Sequence, residues 1–480
     1  MTLRILFLSA EVVPFAKAGG LGDVCGSLPK ALRRLGHDER VIMPAYQSVE
    51  KTYASGGVKS LPLQIQVPTG AAPTAAGVFH DHLPGSDVPV YFIAEHHLLG
   101  RSQIYGYDDD PYRFCFFCRA AIELVTHLGW IPEVIHSHDW HAAPALAWLA
   151  TSGQRDDRYR HMALIFTIHN LAHQGRTSRN LLPYLGVDTP PLREERTGEV
   201  NFMARGIYHA HLISTVSPTY SREIMTPQGG VDLDGLLRFR HFDVHGILNG
   251  LDVELWNPAT DPNLVRNFGA GSIESRIENK LALQSKLGLP VRKDVPLVAM
   301  ISRLTLQKGL DITGHVIHLL LNNSAGEAQF VVLGSGGRRY EEMLAHLASY
   351  HREKMRTIFT YAGDLAPLIY GGSDLFLMPS LFEPCGLGQM IAMRYGSVPV
   401  VRATGGLADT VSDGVTGFTF YSFTADDFWS ALQRALFIYR NDPEAWHTLQ
   451  RQGMSADFSW QKSAYGYQQL YEWAVARIRA

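Results

Sequence analysis

Short apolar runs of strand-forming residues alternate with helix-length stretches twice along this chain, and that rhythm constrains the fold more than any single motif. In the first half the runs are Arg4 to Ser9, Arg40 to Met43, Val134 to Ser137, Ala163 to Thr167 and Leu212 to Val216. Helix-like periods such as Gly22 to Leu35 and Pro111 to Leu128 lie between them. Strands covered on both faces read as continuous apolar runs, and parallel strands need helical crossovers, so the pattern predicts βαβ units. It restarts at Val295 to Ile301 and continues through Gln329 to Leu333, Met355 to Tyr361, Asp374 to Met378 and Ser397 to Val401. The expected fold class is α/β, with two Rossmann-like, doubly wound sheets.

A chain of 480 residues exceeds what one hydrophobic core supports, so two domains are expected. The turn-rich stretch Gly246-Ile247-Leu248-Asn249-Gly250-Leu251-Asp252, followed by Trp256-Asn257-Pro258, suits a hinge. Residues 1–246 and 247–458 are the predicted domains, and the aromatic-rich helical segment 459–480 docks on a domain surface. In open α/β sheets ligands bind beyond the carboxyl ends of the strands. A catalytic site in a cleft between the two sheets is therefore expected.

Composition serves mainly to exclude. A formal charge of −3 with no run of five Lys or Arg gives no footprint for nucleic acid. Cys25, Cys115, Cys118 and Cys385 are too few for a disulfide scaffold, and Cys115-Phe116-Phe117-Cys118 has no partner pair, so it reads as packing. No apolar stretch of about 18 residues occurs, which points away from a membrane and toward a cytoplasmic protein.

The chemistry-bearing residues follow strands. Lys17-Ala18-Gly19-Gly20-Leu21-Gly22-Asp23 comes after the first, where glycines let N–H groups approach a phosphate at a helix start; an ordinary strand-to-helix turn is the structural alternative. Gly405-Gly406-Leu407 repeats the feature late in the chain. Arg303 and Lys308 follow the Val295 to Ile301 run and suit a diphosphate leaving group, with a solvated surface pair as the alternative. Glu383, in Glu383-Pro384-Cys385-Gly386-Leu387, stands at another strand end, either to accept from sugar hydroxyls or to cap a helix. His169-Asn170 and Asp139 end two more runs. His136, His138 and His141 surround Asp139, but alternate strand residues face opposite ways, and no metal set is expected. Tyr361 offers a face for a nucleobase or fills a core.

Taken together, Lys17-Ala18-Gly19-Gly20-Leu21, Asp23, His138-Asp139-Trp140-His141, His169-Asn170, Arg303, Lys308, Glu383-Pro384-Cys385-Gly386-Leu387 and Ala403-Thr404-Gly405-Gly406-Leu407 resemble the bacterial glycogen synthases, relatives of plant starch synthases, in order and spacing. The resemblance implies a GT-B architecture whose first domain, rejoined by the final helix, takes a glucan acceptor and whose second takes a nucleotide sugar. It implies glucose transfer from ADP-glucose to an α-1,4-glucan with retention, without metal or cofactor. It also implies Glu383, His169, Arg303, Lys308 and Asp139 in catalysis. Lys17, Gly19, Gly20, Asp23, Asn170, Asn249, Tyr361, Cys385, Gly386, Leu387 and Thr404 would bind substrate. Ala18 and Gly388 depart from the commonest family residues, and Ile391 stands where other retaining transferases carry a second glutamate.

Overall fold

The computed structural model describes residues 2–54, 56–57, 59–70, 72–322, 327–360 and 363–479. It divides into two compact units, Met1–Gly250 with Trp460–Ala480, and Leu251–Ser459.

In the first unit one sheet has the spatial order Val244–Gly246, Leu212–Thr215, Ala163–Ile168, Val134–His138, Arg4–Leu8, Asp38–Pro44, Pro89–Ala94, Thr74–His82, Lys59–Val67. Pairing is parallel from Val244–Gly246 through Pro89–Ala94. Both Val134–His138 and Ala163–Ile168 are buried along their whole length; the second reads as a nearly unbroken apolar run, while the first buries His136, Ser137 and His138 as well. The last two strands depart from the expected all-parallel pattern: Thr74–His82 pairs antiparallel with both neighbours, forming a meander. Lys59–Val67 alternates exposed and covered residues and contains Pro62, inside a register shift between Ser60 and Gln64. Proline is tolerated there because an edge strand needs fewer ladder donors. Its weak, polar pattern conceals the strand from a search for apolar runs.

The second unit's sheet is parallel throughout, in the order Met355–Ile358, Gln329–Leu333, Leu297–Ile301, Leu375–Met378, Val398–Arg402, Phe418–Phe420. Its third strand in chain order ends at Ile358, short of the expected Tyr361, and Tyr361 lies outside the described residues. Lys280 and Asp374 form a buried ion pair at 2.7 Å, and the same Asp374 carboxylate accepts from Leu297 N at 2.8 Å, fixing two strand starts side by side.

The C-terminal helix Trp460–Arg479 belongs to the first unit and buries Trp460, Ala464, Tyr467, Leu470, Tyr471, Ala474 and Val475, one stripe at helical spacing. Covering each of its large side chains stabilises the unit by roughly 1.5–3 kcal/mol. Trp460 packs where a Cβ on Gly250 would come within 2.7 Å of its ring. Tyr471 reaches the sheet itself, its hydroxyl 2.8 Å from His136 Nδ1. Tyr471→Phe would leave that buried imidazole nitrogen unpaired, and denaturant titration is expected to register a loss of about 1–3 kcal/mol. An unchanged midpoint would mean that this hydrogen bond contributes nothing.

Candidate functional site

In the first unit, the chain leaves Arg4–Leu8 and turns through Glu11 and Lys17 before the helix Gly20–Arg34 begins. Glu11 is buried, and its Oε2 accepts from the N–H groups of Ala18 at 2.6 Å and Gly19 at 2.8 Å. Its Oε1 accepts from the Tyr105 hydroxyl at 2.7 Å. The expectation that this glycine turn presents its N–H groups to a phosphate is therefore corrected at Ala18 and Gly19. The side chain of Glu11 already accepts from the two N–H groups just ahead of the helix. Gly22 is closely packed: a Cβ there would sit 3.3 Å from the Ala16 carbonyl and 3.4 Å from Glu11 Oε2. Gly20 has open space beside it. Lys17 Nζ bonds Asp23 Oδ1 at 2.8 Å in a half-exposed pair that holds the ammonium only weakly.

Two further strand ends meet at Asp139. The strand Val134–His138 passes without a loop into the helix Asp139–Leu149, and Asp139 itself takes φ 56. Aspartate tolerates this left-handed region better than most residues. The turn brings its Oδ1 to the end of the neighbouring strand, 2.7 Å from His169 N and 3.4 Å from Asn170 N. Burial pushes the Asp139 carboxyl up to about 7, with those N–H bonds opposing and the Glu11 charge reinforcing. Burial works in the reverse direction on the imidazoles, taking His169 down to about 3 and His136, His138 and His141 well below their ordinary range. All four are neutral near pH 7. His136 and His138 stand two apart on one strand and therefore share a face, with ring centroids 4.0 Å apart, a correction to the separation expected from alternation. Asn170 Oδ1 accepts from Ala172 N at 3.1 Å. Asn249 is buried, and its Oδ1 has no hydrogen-bond partner among the described residues.

The second unit builds its cluster by clasping loops together. After Leu297–Ile301, Leu381 N donates to the Gln307 carbonyl at 2.8 Å, and Gly309 adopts φ +77 where a Cβ would lie 1.9 Å from the Pro379 carbonyl. Only glycine allows that approach. The clasp sets Lys308 Nζ 2.6 Å from Glu383 Oε2, which also accepts from Ser380 Oγ at 2.9 Å. Glu383 is 5% exposed and is held by a charge, so it is not the helix cap offered as its alternative reading. The following helix Gly388–Arg394 starts after Leu387, without a side-chain cap. The loop is gripped from the other side by Gly406 N, which donates to the Glu383 carbonyl at 3.1 Å just after Thr404, the N-cap residue of Gly405–Thr410. Gln389 Nε2 reaches the carbonyls of Cys385 and Gly386, and Gly386 takes φ +75. Arg303 is exposed and pairs with no acidic side chain among the described residues. Beside it, Ser302 Oγ and Thr305 Oγ1 are buried without partners among the described residues.

Of the predicted residues, the structure brings Asp139, His169 and Asn170 together in the first unit and Lys308 and Glu383 together in the second, while Lys17 pairs only with Asp23, and no contact joins Asn249 or Arg303 to these groups among the described residues. Sequence reading missed Glu11, Tyr105, Ser380 and Gln389. Glu11 carried a usable signal, a carboxylate ending an apolar strand run, the same signal that singled out Glu383. Tyr105 is meaningful only through a contact 94 positions away, whereas Ser380 and Gln389 act on neighbours three or four positions off, within a loop whose path the sequence does not show.

The carboxyl of Asp139 sets a pH test. The folded protein keeps this proton up to about pH 7, whereas an ordinary aspartate releases it at 3.8, so the stability it contributes is complete below pH 4 and is lost as pH rises through 7. Asn accepts the same backbone conformation. Asp139→Asn is expected to gain roughly 2–3 kcal/mol on the wild-type protein between pH 5 and pH 8 in urea titrations. Parallel pH profiles would show that Asp139 does not titrate in this range.

Residues 4–239 match the family model for the starch synthase catalytic domain and residues 285–448 that for glycosyl transferases group 1. A glycogen synthase from Moorella thermoacetica is 44% identical, the match covering 100% of this chain and 98% of that protein. One from Geotalea daltonii is 42% identical, over 99% of each. Among solved structures, the catalytic domain of starch synthase IV from Arabidopsis thaliana, bound to ADP and acarbose, superposes with a TM-score of 0.91 at 36% identity, covering 99% of this chain and 100% of that one. Sucrose-phosphate synthase from Thermosynechococcus elongatus, at 17% identity and a TM-score of 0.60 with 99% and 100% coverage, shares the fold alone.

Proposed function

The chain belongs to the glycogen synthase family of retaining glycosyltransferases with the GT-B fold, and we propose that it moves glucose from ADP-glucose to the non-reducing end of an α-1,4-glucan. The observation that carries the reading is the Lys308, Glu383 and Ser380 cluster, with Arg303, which pairs with no acidic side chain among the described residues, five positions before Lys308 in the chain. As the glycosidic bond of a nucleotide sugar breaks, negative charge grows on the β-phosphate. Preorganised cations stabilise that charge without a metal. Arg303 meets no competing acid among the described residues, and Lys308 is held by Glu383, so the ammonium is in place before the charge appears. Both hydrogen bonds to Glu383 fall on Oε2, leaving Oε1 for sugar hydroxyls or the positive anomeric centre. Cys385, Gly386, Leu387 and Thr404 line the same clasped loops and are assigned to the donor, and Tyr361, which lies outside the described residues, is assigned to the adenine on the family resemblance alone.

In the first unit Lys17, Gly20, Asp23, Asn170 and Asn249 are assigned to substrate, with His169 and Asp139 beside the sugar and acceptor. Retention follows most simply from attack on the face the phosphate leaves, with the departing phosphate taking the acceptor's proton, so no protein base is required. The ADP donor is supported by the ADP bound to the Arabidopsis starch synthase domain.

Labelled glucose is expected to enter glycogen from ADP-glucose with EDTA present. Glu383→Gln is expected to lower turnover by about 10²–10³-fold while the protein stays folded. Transfer from UDP-glucose alone would correct the donor, inhibition by EDTA would overturn metal independence, and near-normal turnover of Glu383→Gln would remove that residue from the chemistry.

A further inference from the structure

His138 was noted in the sequence only as part of a motif, yet it makes the one side-chain hydrogen bond to the His169 imidazole among the described residues. Its Nδ1 lies 2.9 Å from His169 Nε2. Two neutral imidazoles sharing a hydrogen bond must differ there, one nitrogen bearing the proton and the other accepting it. Burial keeps both rings neutral, so the choice between two arrangements is real.

The far side of His138 decides it. Its Nε2 is buried and has no hydrogen-bond partner among the described residues, and the ring is stacked on Phe7 at 5.5 Å and packed at a tilt of 38° against His136 at 4.0 Å. A proton on that nitrogen would be a buried donor with no protein acceptor, whereas a bare lone pair there is the milder defect. We infer that His138 carries its proton on Nδ1, donates it to His169 Nε2, and thereby fixes His169 as the tautomer protonated on Nδ1.

His138 is a positioning residue in this arrangement. The remaining nitrogen of His169, Nδ1, has no protein partner among the described residues and is not sealed from solvent. It presents an N–H outward. His169 is then a hydrogen-bond donor toward a sugar oxygen and has no lone pair with which to deprotonate an acceptor hydroxyl. His136 keeps His138 in register: its own Nε2 bonds Thr167 Oγ1 at 2.5 Å and its Nδ1 meets the Tyr471 hydroxyl at 2.8 Å, so the packed ring cannot turn without breaking both. The kinetic consequence rests on the transferase reading above, but the tautomer does not.

Nitrogen-15 NMR of histidine-labelled full-length protein, with the His169 signals assigned by their loss in His169→Gln, reads the tautomer directly and needs no substrate. The expected spectrum of the wild-type protein shows the proton on His169 Nδ1; a proton on Nε2 overturns the inference. In glucose-transfer assays His138→Ala is expected to lose about tenfold in kcat/KM and to show mixed His169 tautomers. His138→Asn, whose amide nitrogen can replace Nδ1 as the donor, is expected to recover most of the rate and the single tautomer. An Asn variant that folds but fares no better than Ala overturns the positioning role. Absence of transfer in the wild-type protein, with the Nδ1 tautomer present, would instead defeat the transferase reading and leave the tautomer assignment standing.

Discussion

Parallel hydrogen bonding between strands is the constraint on which the rest of this protein depends. Because neighbouring strands run the same way, all their carboxyl ends fall on one edge, and the chain must leave that edge through a turn before a helix can return it. Glu11, Asp139, His169 and Asn249 follow strands of the first unit in this way, and Arg303, Glu383 and Thr404 follow strands of the second. The edge concentrates polar side chains at the mouth of an apolar sheet, where burial is deep enough to alter their chemistry.

How each buried charge is satisfied then fixes what it can do. Glu11 is surrounded by donors, two backbone N–H groups and a phenol, and serves to shape a loop. Glu383 is balanced by an ammonium on one oxygen and keeps the other available. Asp139 has only backbone donors, and burial raises it into the neutral range. Three acidic side chains that follow strands therefore differ in role because their partners differ.

Much of the fold was legible. The two series of apolar runs correspond to strands buried on both faces, and the C-terminal aromatic stripe to a helix buried along that stripe. Of the meander, Lys59–Val67 escaped because an edge strand alternates and tolerates proline, and Thr74–His82 because its small and polar residues make no apolar run. The site residues were visible as charges and histidines placed just after strands, but the glycine turn at Ala18 and Gly19 misled, since the sequence does not show that Glu11 folds back on it.

The sequence by itself determined the class of architecture, the two-part organisation and which residue types arrive at the strand ends, because those depend on local periodicity and on turn chemistry within a few residues. Only the tertiary structure decided the pairings. Lys308 meets Glu383 across 75 positions, His138 meets His169 across 31, and Tyr471 meets His136 across 335. Charge state, tautomer and the orientation of a hydrogen bond are properties of such pairs, set by burial and by the partner, and no run of neighbouring residues encodes them.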